Sequence, residues 1–226
     1  MTVYILSRNP KLYSTQRLVE AGEAKGWNIR VIDYLMCSIE IMKGELEVVY
    51  DGELLPVPDA IIPRIGASRT FFGTAMVRHF EIMGAFSVAG NLAIARSRDK
   101  LRSLQVLSKY GVDMPKTVFA SNKANAKDVI KLSGGTPLVL KILEGTQGVG
   151  VVLAETQKAA QSVVAGVGGM GVNLLVLEFI IEAGGADIRG CGVNGEVVGA
   201  LKRQGAEGDF RSNLHQGGSA MSYKLN

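Results

Sequence analysis

One lysine interrupts an apolar run in the stretch LVLKILEGTQGVGVVLAE, residues 138–155. A charged amine in a buried strand costs free energy unless an anion meets it. The loop after Lys141 carries Gly145, Thr146, Gln147, Gly148 and Gly150, which let backbone N–H groups approach a ligand closely. Converging N–H donors beside an ammonium make a phosphate cradle. Two phosphate loops are excluded. A Walker loop ends in Gly-Lys-Ser/Thr and opens a helix, whereas Lys141 precedes this loop; the dinucleotide fingerprint needs a strand-to-helix turn, and this loop joins two strands. A hairpin loop closing over phosphates remains, as does a plain hairpin with Lys141 snorkelling to water.

The polar residues that follow form an ordered series. Glu178, at the end of an apolar strand and followed by Phe179, Ile180 and Ile181, suits the amino edge of adenine, with backbone N–H groups answering a ring nitrogen. Asp187 could accept from ribose hydroxyls. Lys202 and Arg203 come next, and EGDFRSNLHQGG (207–218) supplies Arg211, Ser212, Asn213 and His215. Each alone also reads as surface charge or a polar turn.

The chain reads as α/β, passing to α+β in its second half. Val3–Leu6, Ile29–Asp33 and Asp59–Ile62 are predicted strands, with Glu45–Tyr50 before the turn Asp51-Gly52. A helix capped by Ser14 or Thr15 carries Leu18, Ala21 and Ala24 and stops at Gly26; Phe72, Met76, Phe80 and Met83 mark a second. Residues 91–110 form one or two helices, with Lys100 bordering an apolar stripe. Then come a strand (116–119), a helix (about 125–132), strands 138–142 and 149–154, a helix (about 156–165), a glycine-rich connection GVGGMG (166–171), and an apolar strand 174–181. Asn194-Gly195 marks a hairpin joining 187–193 and 196–201. These imply domains 1–95, 96–172 and 173–226.

The 226 residues are 47% hydrophobic and 20% charged, so a sizeable core forms and disorder is disfavoured. Net charge is +4 without a Lys/Arg block, so acidic partners are compatible and nothing calls for direct nucleic-acid contact. Cys37 and Cys191 lack ligand spacing, and His79 and His215 are isolated, so neither a disulfide framework nor a zinc site is suggested. The absence of a disulfide framework points to a reducing cytoplasm; the start MTVYILSRNP does not read as a secretory signal, and no stretch reads as a membrane span.

The motifs ILSR (5–8), IPRIG (62–66), ARSRDKLRSLQ (95–105), PLVLKILEGTQGVGVVLAE (137–155), LEFI (177–180), ADIRG (186–190) and EGDFRSNLHQGG (207–218) together resemble the ATP-grasp superfamily and, more closely, its ribosomal-protein-modifying, RimK-type glutamate ligases. The resemblance implies an ATP-grasp fold behind an N-terminal parallel α/β domain. It implies that Lys100 and Lys141 touch phosphates, and that residues 145–150 close over them. Glu178 and Phe179–Ile181 would hold adenine, and Asp187 the ribose. Arg203, Arg211, Ser212 and Asn213 would lie near the γ-phosphate and reacting carboxylate, with Arg203, Arg211 and Asn213 in the catalytic role. Arg64 and Arg189 are candidate substrate contacts; Arg64 also reads as a surface arginine after a strand. Cofactors would be ATP and magnesium (or manganese). Partners would be glutamate and the acidic C-terminal tail of a small-subunit ribosomal protein, possibly within a tetramer. Relatives carry an Asp and a Glu-x-Asn pair for the metal beyond the position of Asn226, and Asp209 and Asn213 are the only nearby oxygen ligands here, so the expectation is an incomplete C-terminal domain without the family's metal ligands and with weak or absent turnover. Gln204 replaces a frequently basic residue. Two other classes stay open: a ligase of the superfamily acting on a cofactor or small peptide, and a non-catalytic nucleotide-binding protein. An uncovered apolar face is expected at 174–181.

Overall fold

In the computed structural model, residues 1–143, 150–214 and 217–225 are described. The chain separates into two units, Met1–Val106 and Leu107–Asn226.

The N-terminal unit runs β1 (Thr2–Leu6), α1 (Tyr13–Glu23), β2 (Asn28–Ile32), β3 (Cys37–Met42), β4 (Glu45–Tyr50), β5 (Glu53–Leu54), β6 (Ala60–Pro63), α2 (Thr70–Ile82), β7 (Phe86–Ser87), α3 (Asn91–Arg98), and the start of α4 (Lys100–Lys109). A parallel sheet has the order β2-β1-β6-β7. Its centre is β1, where Val3, Tyr4, Ile5 and Leu6 are all buried, as a strand covered on both faces requires. Met76, Val77 and Phe80 of α2 complete the core, with the Phe80 ring edge-on to Tyr4 at 6.1 Å. His79 is buried and donates from Nε2 to the Glu47 carbonyl at 3.0 Å, tying α2 to β4. Burial pushes the Cys37 thiol up to about 11, with Asp33 adding to the shift, which leaves it a poor nucleophile.

Two sequence expectations fail here. No side chain caps α1; Thr15 is buried and its hydroxyl shares a 3.1 Å hydrogen bond with that of Ser7, joining the helix to the end of β1. Ala21 and Ala24 are exposed, and the buried positions of α1 are Thr15 and Gly22, because Ile29 packs where a Cβ on Gly22 would stand at 2.4 Å. The antiparallel sheet β3-β4-β5 also has a strand, β3, that the sequence reading passed over.

The C-terminal unit continues with β8 (Thr117–Ala120), α5 (Ala126–Leu132), β9 (Leu138–Ile142), β10 (Val151–Ala154), α6 (Gln157–Gly169), β11 (Leu174–Glu178), β12 (Ala186–Val193), β13 (Glu196–Gln204) and β14 (Ser219–Ser222). Four strands form an antiparallel sheet of order β10-β9-β11-β8. Alternation sends Leu138, Leu140, Leu174 and Val176 into a core shared with Val129 and Ile130 of α5 and Ala160 and Val164 of α6. Asn125 caps α5 and Thr156 caps α6 through side-chain acceptors. The glycines at 166–169, expected as a connection, instead continue α6. Val167 packs on the core, and a Cβ on Gly168 would lie 2.9 Å from the Asn122 carbonyl oxygen, so close approach selects glycine there. The apolar face expected to be uncovered is also corrected: Leu174–Leu177 are buried, and beyond them Glu178, Ile180 and Ile181 are exposed. The weakly covered sheet is β12-β13-β14, in which no residue is buried.

Candidate functional site

Lys141 lies on β9, opposite Val151 of β10 and Leu175 of β11. Cross-strand partners share a face, so Lys141 sits among Val139, Leu175 and Leu177, all buried, on the side away from the α5–α6 core. It is half-buried. A charge at the centre of a sheet in apolar company is stable only with an anionic or polar counterpart. Gly150, at φ 72°, returns the chain to β10, and its carbonyl accepts from the Ile142 N–H at 3.0 Å. A Cβ on Gly150 would meet Ile142 at 2.2 Å, so this end of the loop tolerates only glycine. Gly145, Thr146, Gln147, Gly148 and His215 lie outside the described residues.

Glu178 ends β11. By alternation it belongs to the face opposite Lys141, and its carboxylate accepts from the Lys116 N–H at 3.1 Å. The carboxylate thus closes the β8 edge of the sheet. Beyond it, no described residue accepts from the backbone N–H of Phe179 or Ile180. The Phe179 ring stands edge-on to Phe210 at 6.2 Å, which joins the end of β11 to the segment 209–213.

Asp187, Arg203 and Ser212 come together. The Arg203 guanidinium forks onto the Asp187 carboxylate, with Nε–Oδ1 at 2.7 Å and a second N–H to Oδ2, and also donates to Ser212 Oγ at 3.2 Å. Arg189 stands 3.6 Å from the same carboxylate. The Arg203 hydrogen bonds hold the Asp187 carboxyl below the usual carboxylate range, against a smaller opposing effect of burial. Turn geometry explains the partnership. A plain two-residue hairpin through Asn194-Gly195, both at positive φ, would set Asp187 opposite Lys202. The register shifts between Cys191 and Gly192, because β13 carries one extra residue there. That bulge puts Arg203 opposite Asp187 and turns Lys202 to the other face.

Arg211 is held in the same manner by Asp209, whose carboxylate is taken up by the guanidinium. Its Nε and Nη2 donate to Asp209 at 2.9–3.2 Å, and the Arg211 backbone N–H also donates to Asp209 Oδ1 at 2.8 Å. These bonds lower the Asp209 pKa, the side-chain contact being the larger cause. Three glycines fix this segment. A Cβ on Gly205 would meet the Asp209 and Arg211 carbonyl oxygens at 2.6 and 2.7 Å, one on Gly218 would meet the Gln204 oxygen at 2.8 Å, and one on Gly185 the Asp209 oxygen at 3.0 Å. Ser212 is buried within it, and Asn213 accepts from Gly218 N–H through its carbonyl at 3.3 Å. Gln204 donates to the Gly184 carbonyl at 3.0 Å. Among the described residues no three of His, Cys, Asp and Glu are grouped so as to hold a metal.

Two expected residues belong to the N-terminal unit. Lys100 begins α4 and is half-buried. Arg64, directly after β6, donates to Ser14 Oγ at 2.9 Å and lines a cleft of about 440 Å³ with Arg8 and Arg98. Those two arginines were not singled out from the sequence, although ILSR and ARSRDKLRSLQ contain them. Among the described residues no helix is long and apolar enough to cross a membrane.

Known proteins resemble this chain over its whole length. The family model described as the RimK PreATP-grasp domain matches residues 1–94, and the RimK-like ATP-grasp domain matches residues 97–226. A probable alpha-L-glutamate ligase of Psychromonas ingrahamii is 60% identical over 225 residues, covering 100% of this chain and 74% of that relative. Among solved structures, the ATP-grasp ligase PsnB, complexed with a phosphomimetic variant of a minimal precursor, Mg and ADP, superposes with a TM-score of 0.68 at 16% identity, covering 100% of this chain and 76% of that one. A RimK-domain ATP-grasp protein of Sphaerobacter thermophilus gives 0.62 at 20% identity over 88% of this chain and 72% of its own. At such identities the structural matches establish the fold alone.

Proposed function

The chain belongs to the RimK-type ATP-grasp ligase family, and from that premise we propose that it joins glutamate to the C-terminal glutamate of a small-subunit ribosomal protein, using ATP in the cytoplasm. Its organisation would be 1–95, 96–172 and 173–226, with the nucleotide held by the last two. The observation that carries this reading is Lys141, a charge set among Val139, Leu175 and Leu177 at the centre of the sheet. It would meet the phosphates, while the backbone N–H groups of Phe179 and Ile180, beyond the end of β11, would read the adenine edge. Glu178 and Asp187 would contribute from positions already tied to Lys116 and Arg203, so their part is to shape the pocket as much as to touch the ligand.

In this reading the acceptor carboxylate attacks the γ-phosphorus of ATP, the bond to the bridging oxygen of ADP breaks, and an acylphosphate forms. The amine of glutamate then attacks the acyl carbon, an amide forms, phosphate leaves and a proton goes to solvent. The protein's share is positioning and charge neutralisation. Arg203 and Arg211, each fixed by a carboxylate, would present their remaining N–H donors to the transferring phosphoryl group, with Ser212 and Asn213 beside them. Magnesium would supply further neutralisation of the phosphates; no ligand to it is assigned in these residues. The test is incubation with ATP, magnesium, glutamate and a peptide ending in glutamate, followed by mass spectrometry. A gain of one glutamyl residue per peptide, with matching ADP release, is expected. Nucleotide binding with no transfer would overturn the ligase reading and leave a nucleotide-binding protein.

A further inference from the structure

Two of the motifs, ILSR and IPRIG, carry no residue assigned to the nucleotide, and in a third, ARSRDKLRSLQ, only Lys100 is so assigned. The N-terminal unit brings one arginine from each to the same cleft. Arg8 follows β1, Arg64 follows β6, and Arg98 ends α3. The cleft lies at the carboxyl ends of β1 and β6. The chain leaves β1 toward β2 on one side and returns in β6 on the other, so the strand order reverses there. Open α/β sheets bind ligands at such a point.

The charge of the cleft is unbalanced. Three guanidinium groups line it, and no aspartate or glutamate does. Among the described residues, Arg17, Arg189, Arg203 and Arg211 each have a carboxylate within ion-pair distance, and Arg8, Arg64 and Arg98 have none. Neutral groups nevertheless hold two of them in place. Arg64 donates one N–H to Ser14 Oγ at 2.9 Å, and Arg98 one to the Ile65 carbonyl at 2.7 Å. A guanidinium has five N–H donors, so each keeps a fork available for an anion while its orientation is already set. Gly66 completes the arrangement, because a Cβ there would stand 3.3 Å from the Arg8 guanidinium.

We propose that this cleft binds the acidic end of the acceptor, taking at least two carboxylates at once, as in a peptide ending in consecutive acidic residues. The proposal rests on the ligase reading and adds to it the place on the chain, Arg8, Arg64 and Arg98, that holds the acceptor. Free glutamate fits less well, since its ammonium would face three arginines with no carboxylate to answer it. A lone inorganic phosphate would fill a small part of about 440 Å³, a volume in the usual range of small-ligand clefts. Leu12, Pro63, Ile65 and Ile94 give the cleft apolar walls suited to the methylene groups of glutamyl side chains.

The test is calorimetric titration of the intact chain, without nucleotide, with acetyl-Glu-Glu, free glutamate or inorganic phosphate, in wild type and in Arg8→Gln, Arg64→Gln and Arg98→Gln. Acetyl-Glu-Glu should bind most tightly, and each substitution should weaken it by about 10-fold or more, with circular dichroism unchanged. ATP affinity, measured in the same samples, should stay at the wild-type value; its absence from wild type would count against the ligase reading while leaving the cleft to be judged by the peptide. Absent peptide binding, equal affinity in all three variants, or tighter binding of phosphate or free glutamate than of the peptide would overturn the proposal.

Discussion

The two sheets of the C-terminal unit are built by opposite means. In β10-β9-β11-β8, Leu138, Leu140, Leu174, Leu175 and Val176 are almost fully buried and two helices cover one face. In β12-β13-β14 no residue is buried, and Val193, Val197, Val198 and Met221 are more than half exposed. That sheet takes its geometry from a bulged register, two arginine–carboxylate forks and three glycines pressed against carbonyl oxygens. Apolar burial is strong but indifferent to direction, so it suits a frame. Charged hydrogen bonds are directional, so they suit groups that must be aimed. The candidate nucleotide residues divide accordingly: Lys141 rides on the frame, and Arg203, Arg211 and Ser212 are aimed by polar contacts.

The sharpest way to break the comparison is to truncate equivalent apolar residues in both sheets. Leu140→Ala should cost about 2–5 kcal/mol by leaving a cavity in the core, read by chemical denaturation. Gly205→Ala comes next: its Cβ would press on two carbonyl oxygens, so about 1–3 kcal/mol of strain is expected, seen as faster proteolysis of the 205–218 segment. Asp187→Asn should cost less, roughly 1 kcal/mol, because its carboxylate is 38% exposed and solvent screens the pair. The pH dependence has a definite sign. Arg203 lowers the Asp187 pKa in the folded state, so the stabilisation is complete above about pH 4, the ordinary carboxylate value, and is lost as pH falls through the lowered pKa. Asp187→Asn should remove that part of the acid sensitivity in denaturation curves taken from pH 6 to pH 2. Val197→Ala should be smallest, within about 0.5 kcal/mol. A loss as large as that of Leu140→Ala would show that the outer sheet is held by apolar burial after all.

The same division decides what could be read from the chain. Strands β1, β4, β9 and β11 and helix α2 follow from hydrophobic periodicity because burial shaped them, and Asn194-Gly195 marks its hairpin because both positions need positive φ. Helix α6 runs past its expected end because Val167 packs on the core, and tertiary burial overrides the low helix propensity of glycine. The polar site was legible as a set of residue types and not as partnerships. Asp187 and Arg203 meet only because one bulge moves the register by a residue, and nothing local in GCGVNGEVVGA marks where the extra residue goes. Asp209 stood out only as an oxygen ligand, since its partnership with Arg211 depends on a loop folding back on Gly205. The arginine cleft was half-legible: Arg64 stood out after a strand, while Arg8 and Arg98 join it only through the strand order of a sheet whose topology no single motif states.

The most direct test of the central claim is titration of the purified chain with magnesium–ATP, in wild type and in Lys141→Met, which keeps the length of the side chain and removes its charge. The account predicts saturable binding to wild type and at least about a 10-fold loss in the variant, the scale of one charge-assisted contact, with the denaturation midpoint unchanged or raised. Equal affinity in the two proteins, or no binding by either, would contradict it.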